Sequence, residues 1–79
     1  MTRPVKRSFS LDGHRTSISL EAAFWDALKD AAAEDRVPLA ALVATIDKDR
    51  GTAGLSSAVR VWLLQRLRER AQKLRNAAE

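Results

Sequence analysis

The chain has 79 residues, a formal net charge of +4 and no cysteine, which fits one small domain and excludes a disulfide framework or a Cys-based zinc site. A chain of this length buries only about 60% of the surface that its unfolded form exposes, so we expect self-association to supply part of its stability. With one histidine and three glycines, the sequence holds no Gly-rich phosphate loop, paired-histidine metal motif or nucleophile elbow. It therefore predicts no enzyme, no cofactor, no metal site and no small-molecule substrate.

Charge is distributed unevenly along the chain. Residues 1–20 carry four basic and one acidic side chain, residues 21–50 carry four basic and seven acidic, and residues 51–79 carry six basic and two acidic. Basic end segments favour a polyanionic partner; the alternative is a solvated surface that keeps the protein soluble. No apolar run approaches the ~20 residues of a membrane span, so we expect a cytoplasmic protein without membrane contact.

The N-terminal part of the sequence predicts a β-hairpin. Residues 1–7 are polar and basic, and we interpret them as a flexible arm that precedes a single domain over residues 8–79. Two alternating runs, Ser8–Leu11 and Arg15–Leu20, flank Asp12-Gly13, which is typical of a type I′ turn because this turn requires positive φ at both central residues. One face of the hairpin is then small and polar, and consists of Ser8, Ser10, Arg15, Ser17 and Ser19. The other face consists of Phe9, Leu11, His14, Thr16, Ile18 and Leu20.

Three helices are predicted after the hairpin. The first begins near Glu21 and ends around residues 35–36, because Pro38 disfavours a helical conformation at the residue before it. The second extends from Pro38 to about Arg50, and the third extends over residues 55–76, with Ser56 or Ser57 as its cap. Apolar residues recur with helical spacing in all three, and the predicted core includes Ile18, Leu20, Phe24, Leu28, Leu42, Ile46 and Trp62.

The strand followed by amphipathic helices resembles the ribbon-helix-helix superfamily. The resemblance rests on the segment from Lys6 to Glu21, on Phe24-Trp25, and on Leu55-Ser56-Ser57-Ala58-Val59-Arg60. Together these are similar to a bacterial subgroup of short DNA-binding proteins, and the resemblance covers roughly residues 6–67. It implies an α+β, mostly helical fold with an N-terminal hairpin or ribbon strand, three helices and an intertwined homo-oligomer.

The resemblance also implies where DNA would bind. In this family one strand from each chain pairs into a two-stranded ribbon that enters the major groove. By position, Arg15, Ser17 and Ser19 would contact bases. The dimer core would consist of Ile18, Leu20, Phe24, Leu28, Leu42, Ile46 and Trp62. A helix N-terminus clamps a phosphate in the family. At the usual clamp position Pro38 lacks an N–H, so Ser56 and Ser57 at the start of the third helix are the candidates, together with Lys6 and Arg7 of the arm.

Two functions from different classes remain open. The first is sequence-specific binding of double-stranded DNA by a nucleoid-associated homodimer or tetramer, as a transcriptional regulator or an antitoxin-like repressor. The alternative is a protein-interaction module of the same fold that does not bind DNA and associates through Trp62, Leu63, Leu67 and Leu74. A second alternative concerns the hairpin itself, because Ser8–Leu11 could pair with the second strand within one chain or between chains.

Overall fold

The computed structural model describes residues 3–78 and consists of a two-stranded antiparallel sheet followed by three helices. The strands are β1 (Val5–Leu11) and β2 (His14–Leu20), and the helices are α1 (Ala22–Glu34), α2 (Leu39–Asp49) and α3 (Leu55–Ala78). This architecture confirms the predicted α+β, mostly helical fold.

The hairpin forms within one chain. Asp12 and Gly13 have φ values of 50° and 82°, as a type I′ turn requires, and the pairs Leu11–His14 and Phe9–Thr16 follow in the predicted register. The strand starts earlier than expected, at Val5, because pairing continues along β1 as far as Val5 opposite Leu20. Residues 5–7 of the expected arm are therefore strand, while residues 1 and 2 lie outside the described part of the chain, as does residue 79 of the expected domain.

Helix α1 ends at Glu34 with Asp35 as its C-cap, close to the predicted end around residues 35–36. Arg36 adopts a left-handed conformation with φ of 57°. Its N–H donates to the carbonyl of Ala33 at 3.1 Å, and the N–H of Val37 donates to the carbonyl of Ala32 at 3.0 Å. These two bonds form a Schellman motif, which satisfies carbonyl groups that the helix end would leave unpaired.

Helix α2 begins at Leu39 rather than at Pro38. The proline is the N-cap residue with extended backbone (φ −61°, ψ 148°), and its carbonyl accepts a hydrogen bond from the N–H of Leu42 at 3.1 Å. The ring therefore occupies a position where a backbone N–H would have no partner inside the helix. Gly51, with φ of 61°, follows the C-cap Arg50, and α2 ends close to the predicted end at about Arg50; a glycine in this conformation is typical of a helix C-terminus.

A single apolar core joins the sheet to all three helices. The side chains buried in it are Leu11, Ile18, Leu20, Trp25, Leu28, Ala31, Ala32, Leu42, Val43, Ile46, Leu55, Val59 and Leu63. Five of the seven residues expected in a dimer core are thus buried within one chain, namely Ile18, Leu20, Leu28, Leu42 and Ile46. Side chains that one chain already encloses offer no further area to a second copy.

Helix α3 extends beyond the rest of the domain. Arg66 donates to both carboxylate oxygens of Asp35 at 2.9 and 3.0 Å, and Arg70 pairs with Glu34, so both arginines fasten α3 to the end of α1. Past Arg70 every described side chain of the helix is exposed. Within the described residues α3 extends as far as Ala78, past residue 76 of the predicted span.

Candidate nucleic-acid interface

One face of the hairpin is entirely polar. The pairs Lys6–Ser19, Ser8–Ser17 and Ser10–Arg15 lie side by side on it, because alternate residues of a strand point to the same face. These six residues are the polar face of the hairpin. Five of them are exposed and Ser19 is half-buried, and the hydroxyl oxygens of Ser8 and Ser17 are 3.5 Å apart. The face presents two cations and four hydroxyl groups without an acidic side chain, which is the chemistry that contacts nucleic acids.

Arg7 lies on the opposite face of the sheet from Lys6. Its guanidinium is 5.1 Å from the centroid of a Trp25 ring, a distance at which a cation is attracted to an aromatic face. Trp25 also stacks on Phe9 at 6.0 Å and donates from Nε1 to the carbonyl of Val5 at 2.9 Å. The structure therefore brings Lys6 to the polar face and places Arg7 against Trp25, where α1 packs on the sheet.

The end of β2 is held by α3. The N–H of Ser19 donates to Oγ of Ser56 at 3.0 Å, and the carbonyl of Ser19 accepts from Nη2 of Arg60 at 3.1 Å. The same Nη2 donates to Oε1 of Glu21 at 2.9 Å, and the guanidinium lies 5.6 Å from the ring of Phe24. The pKa of the Glu21 carboxyl lies below its usual value. The larger cause is a hydrogen bond from the backbone of Glu21 itself, and the smaller is the hydrogen bond from the guanidinium of Arg60. Sequence reasoning missed Arg60, because its partners are about 40 residues away in the chain.

The two serines expected as caps of α3 occupy the second and third positions of the helix instead. The residue before the helix is Gly54, whose carbonyl accepts from the N–H of Ala58 at 2.9 Å. Ser56 is half-buried, and its hydroxyl oxygen faces the backbone of Ser19, as described above. Ser57 is exposed. The first turn of α3 is therefore hydrogen-bonded to the sheet through Ser56, while the hydroxyl group of Ser57 is exposed.

The outer edge of β2 has two residues with free backbone groups. Ser19 turns its N–H and carbonyl away from β1, toward α3, and every second residue of an antiparallel strand turns these groups the same way. Ser17 and Arg15 therefore direct their N–H and carbonyl groups to the same outer edge. Within residues 3–78, neither residue has a backbone partner on that side.

An apolar groove runs between α1 and α3 on the side of Arg60. It is lined by Ala23, Phe24, Ala27, Arg60, Val61, Leu63, Leu64 and Leu67. Leu64 is 56% exposed and Leu67 is 57% exposed, which is unusual for leucines that lie close together on the surface of a small domain. Arg60 lines this groove and also donates to the carbonyl of Ser19, so one end of the groove lies near the end of β2.

The comparisons with known proteins identify the fold family. The family model of the ribbon-helix-helix domain matches residues 4–67. This chain belongs to the ribbon-helix-helix family. No curated protein and no solved structure matches the chain.

Membership in the ribbon-helix-helix family indicates a general class of function. Ribbon-helix-helix domains are generally dimeric DNA-binding folds, typically without enzymatic activity. In the part of the chain that the structure describes, no three His, Cys or carboxylate side chains are grouped so that they could hold a metal ion. Over the same residues, no helix has the length and hydropathy to cross a membrane.

Proposed function

We propose that this protein is a homodimer that binds double-stranded DNA through the polar faces of its hairpins, as a transcriptional regulator or an antitoxin-like repressor. The observation that carries the proposal is the polar face itself, which lies beside a strand edge with free backbone groups. Phosphate neutralisation supplies affinity in such a complex, and contacts to base edges supply selectivity.

The outer edge of β2 determines how two copies pair. In an antiparallel pair of β2 strands centred on Thr16, Arg15 of each chain lies opposite Ser17 of the other chain. All the free N–H and carbonyl groups at this edge then form hydrogen bonds. A pair centred on Ser17 would instead require Ser19, whose backbone groups are already bound by Ser56 and Arg60. We therefore place the two-fold axis at Thr16.

A cysteine substitution tests this pairing directly, because the natural chain contains no cysteine. Residues on the axis form a non-hydrogen-bonded pair with a Cα separation of about 4.5 Å, which is within the range of a disulfide. We expect oxidised Thr16→Cys to migrate as a covalent dimer in denaturing gels. Ser8→Cys, which lies on β1 far from the axis, is the control and should remain monomeric. Cross-linking of Ser8→Cys as readily as of Thr16→Cys would contradict the pairing.

Within the polar face, Arg15 is the residue we assign to base recognition. Its guanidinium can bind a guanine edge through two hydrogen bonds, whereas Ser17 and Ser19 offer short hydroxyl groups that accept several bases. Ser19 is the least accessible of the three. Lys6, on the same face, supplies a phosphate contact, and the exposed Ser57 at the start of α3 is a further candidate for one.

Binding titrations at several salt concentrations test the assignment. We expect the logarithm of the affinity to fall linearly with the logarithm of the salt concentration. Arg15→Ala should relax the preference at one base pair, and Lys6→Ala should weaken binding to all sequences alike. An affinity that is independent of salt would refute phosphate-driven binding, and an unchanged sequence preference in Arg15→Ala would refute base reading by this residue.

A protein-interaction module without DNA binding is the second candidate. The protruding end of α3 favours it, because Leu74 is 73% exposed there. A gel shift with random genomic DNA, combined with the oligomer mass from light scattering, separates the two functions. A stable oligomer that shifts no DNA at low salt would favour the interaction module.

A further inference from the structure

The pairing proposed above produces a sheet of four strands rather than two, because each β2 already carries β1 on its other side. The strand order across the dimer is β1, β2, β2 of the partner and β1 of the partner. On the polar side, one row across this sheet consists of Ser10, Arg15, Ser17 of the partner subunit and Ser8 of the partner subunit. The two-fold axis repeats this row in the opposite direction.

A four-stranded sheet is too wide to enter the major groove. Neighbouring strands lie about 4.8 Å apart, so the two outer strands are separated by about 14 Å before their side chains are counted. The major groove is about 12 Å wide and admits a ribbon of two strands. The outer strands must therefore meet the sugar-phosphate backbones on both sides of the groove.

From this geometry, which rests on the function proposed above, we infer that β1 is a phosphate-binding strand that holds the sheet at the mouth of the groove. Its polar side presents Lys6, Ser8 and Ser10, all exposed. An ammonium group and hydroxyl groups are typical donors to phosphate oxygens, and β1 contains no acidic residue. The inner strands face the groove, and from this position Arg15 has the longest side chain that can reach a base edge.

In the four-stranded arrangement Ser8 does not contact bases. If a single hairpin entered the groove as a two-stranded ribbon, Ser8 and Ser17 would both face base edges, since they pair on the same face. In the four-stranded arrangement Ser8 lies over a phosphate backbone and Ser17 lies over the groove. The two arrangements therefore assign Ser8 to different parts of the DNA.

A lysine introduced at Ser8 distinguishes them. If β1 lies over phosphates, Ser8→Lys adds one phosphate contact per chain, and the slope of log affinity against log salt should steepen by about 1.8 for the dimer. The sequence preference should not change, because no base is touched. Ala33→Lys is the matched control, since it adds the same charge at an exposed position about 16 Å along α1 from the sheet; its slope should equal that of the natural protein.

The possible results separate this inference from the proposed function. If the natural protein binds DNA and Ser8→Lys has the same salt slope as Ala33→Lys, the inference is wrong while the proposed function stands. If Ser8→Lys changes the preferred base sequence, a two-stranded ribbon in the groove replaces the four-stranded sheet. If the natural protein binds no DNA at low salt, the proposed function and the inference fail together.

Discussion

Arg36 shows how a single residue can carry conformational strain in this fold. It occupies the left-handed position of the Schellman motif at the end of α1, with φ of 57°, where glycine is the usual residue. A side chain with a Cβ atom is disfavoured in this conformation by roughly 1–2 kcal/mol. Arg36 is exposed, so relief of the strain sacrifices no packing in the core.

We therefore expect Arg36→Gly to raise the free energy of unfolding by about 1 kcal/mol, after the greater entropy of glycine in the unfolded chain is subtracted. Denaturant titration monitored by tryptophan fluorescence measures the change. Arg36→Ala is the control, because alanine removes the charge and keeps the Cβ atom. An equal gain in Arg36→Ala would show that the charge, and not the backbone conformation, limits stability here.

At the scale of the elements, the contact between the end of α1 and α3 depends on ionised carboxylates. Arg70, and then Arg66, hold the pKa of Glu34 below its ordinary value of 4.5. The hydrogen bond from Arg66 holds the pKa of Asp35 below its ordinary value of 3.8. The carboxylates of Asp35 and Glu34 in turn raise the pKa of Arg66, and the hydrogen bond with Asp35 is the largest cause. The carboxyl groups of Glu34 and Asp35 bind protons more weakly in the folded chain than in the unfolded one. Their contribution to stability is therefore present above the unfolded pKa and is lost as pH falls through the folded pKa.

The free energy of unfolding should accordingly decrease as pH falls below about 4.5. In Arg66→Gln this acid-dependent decrease should be smaller, because the carboxyls lose the guanidinium that favours their ionised form. Arg68→Gln changes the charge of an exposed residue of the same helix and should leave the decrease unaltered. If the pH dependence of Arg66→Gln equals that of the natural protein, this cluster does not couple stability to protonation.

At the scale of the whole molecule, a small enclosed core coexists with an exposed apolar groove between α1 and α3. Leu64 and Leu67 line the groove, and Arg60 lies between it and the end of the strand at which we place the second copy. In the proposed dimer, contact between copies at the groove would bury apolar area without any rearrangement of the core within each chain. Because the proposed dimer forms from folded chains only, the temperature of unfolding should rise with protein concentration.

Leu64→Gln should weaken this concentration dependence, because it places an amide in the covered groove. Leu74→Gln makes the same substitution at a position that is 73% exposed, beyond the last ion pair between α3 and α1, and should preserve the dependence. Calorimetry over a 100-fold range of concentration measures both variants. If Leu74→Gln, rather than Leu64→Gln, abolishes the dependence, the end of α3 forms the contact between copies.

The sequence alone predicted the features that depend on neighbouring residues. The turn at Asp12-Gly13, the two faces of the hairpin and the end of α1 before Pro38 follow from local φ preferences and from the alternation of side chains along a strand. For the same reason, the sequence places Arg15, Ser17 and Ser19 on one face of the hairpin. These features require no knowledge of what the chain packs against.

Only the tertiary structure decided which groups meet across long stretches of chain. It placed Arg7 against Trp25, joined Ser56 and Arg60 to the backbone of Ser19, and enclosed Ile18 and Leu28 within one chain. Periodicity identifies an apolar face but does not identify its partner, because burial in one chain and burial between two chains require the same residues. Whether an apolar side chain is enclosed or left exposed depends on how α1, α2 and α3 pack together, and no local pattern encodes that arrangement.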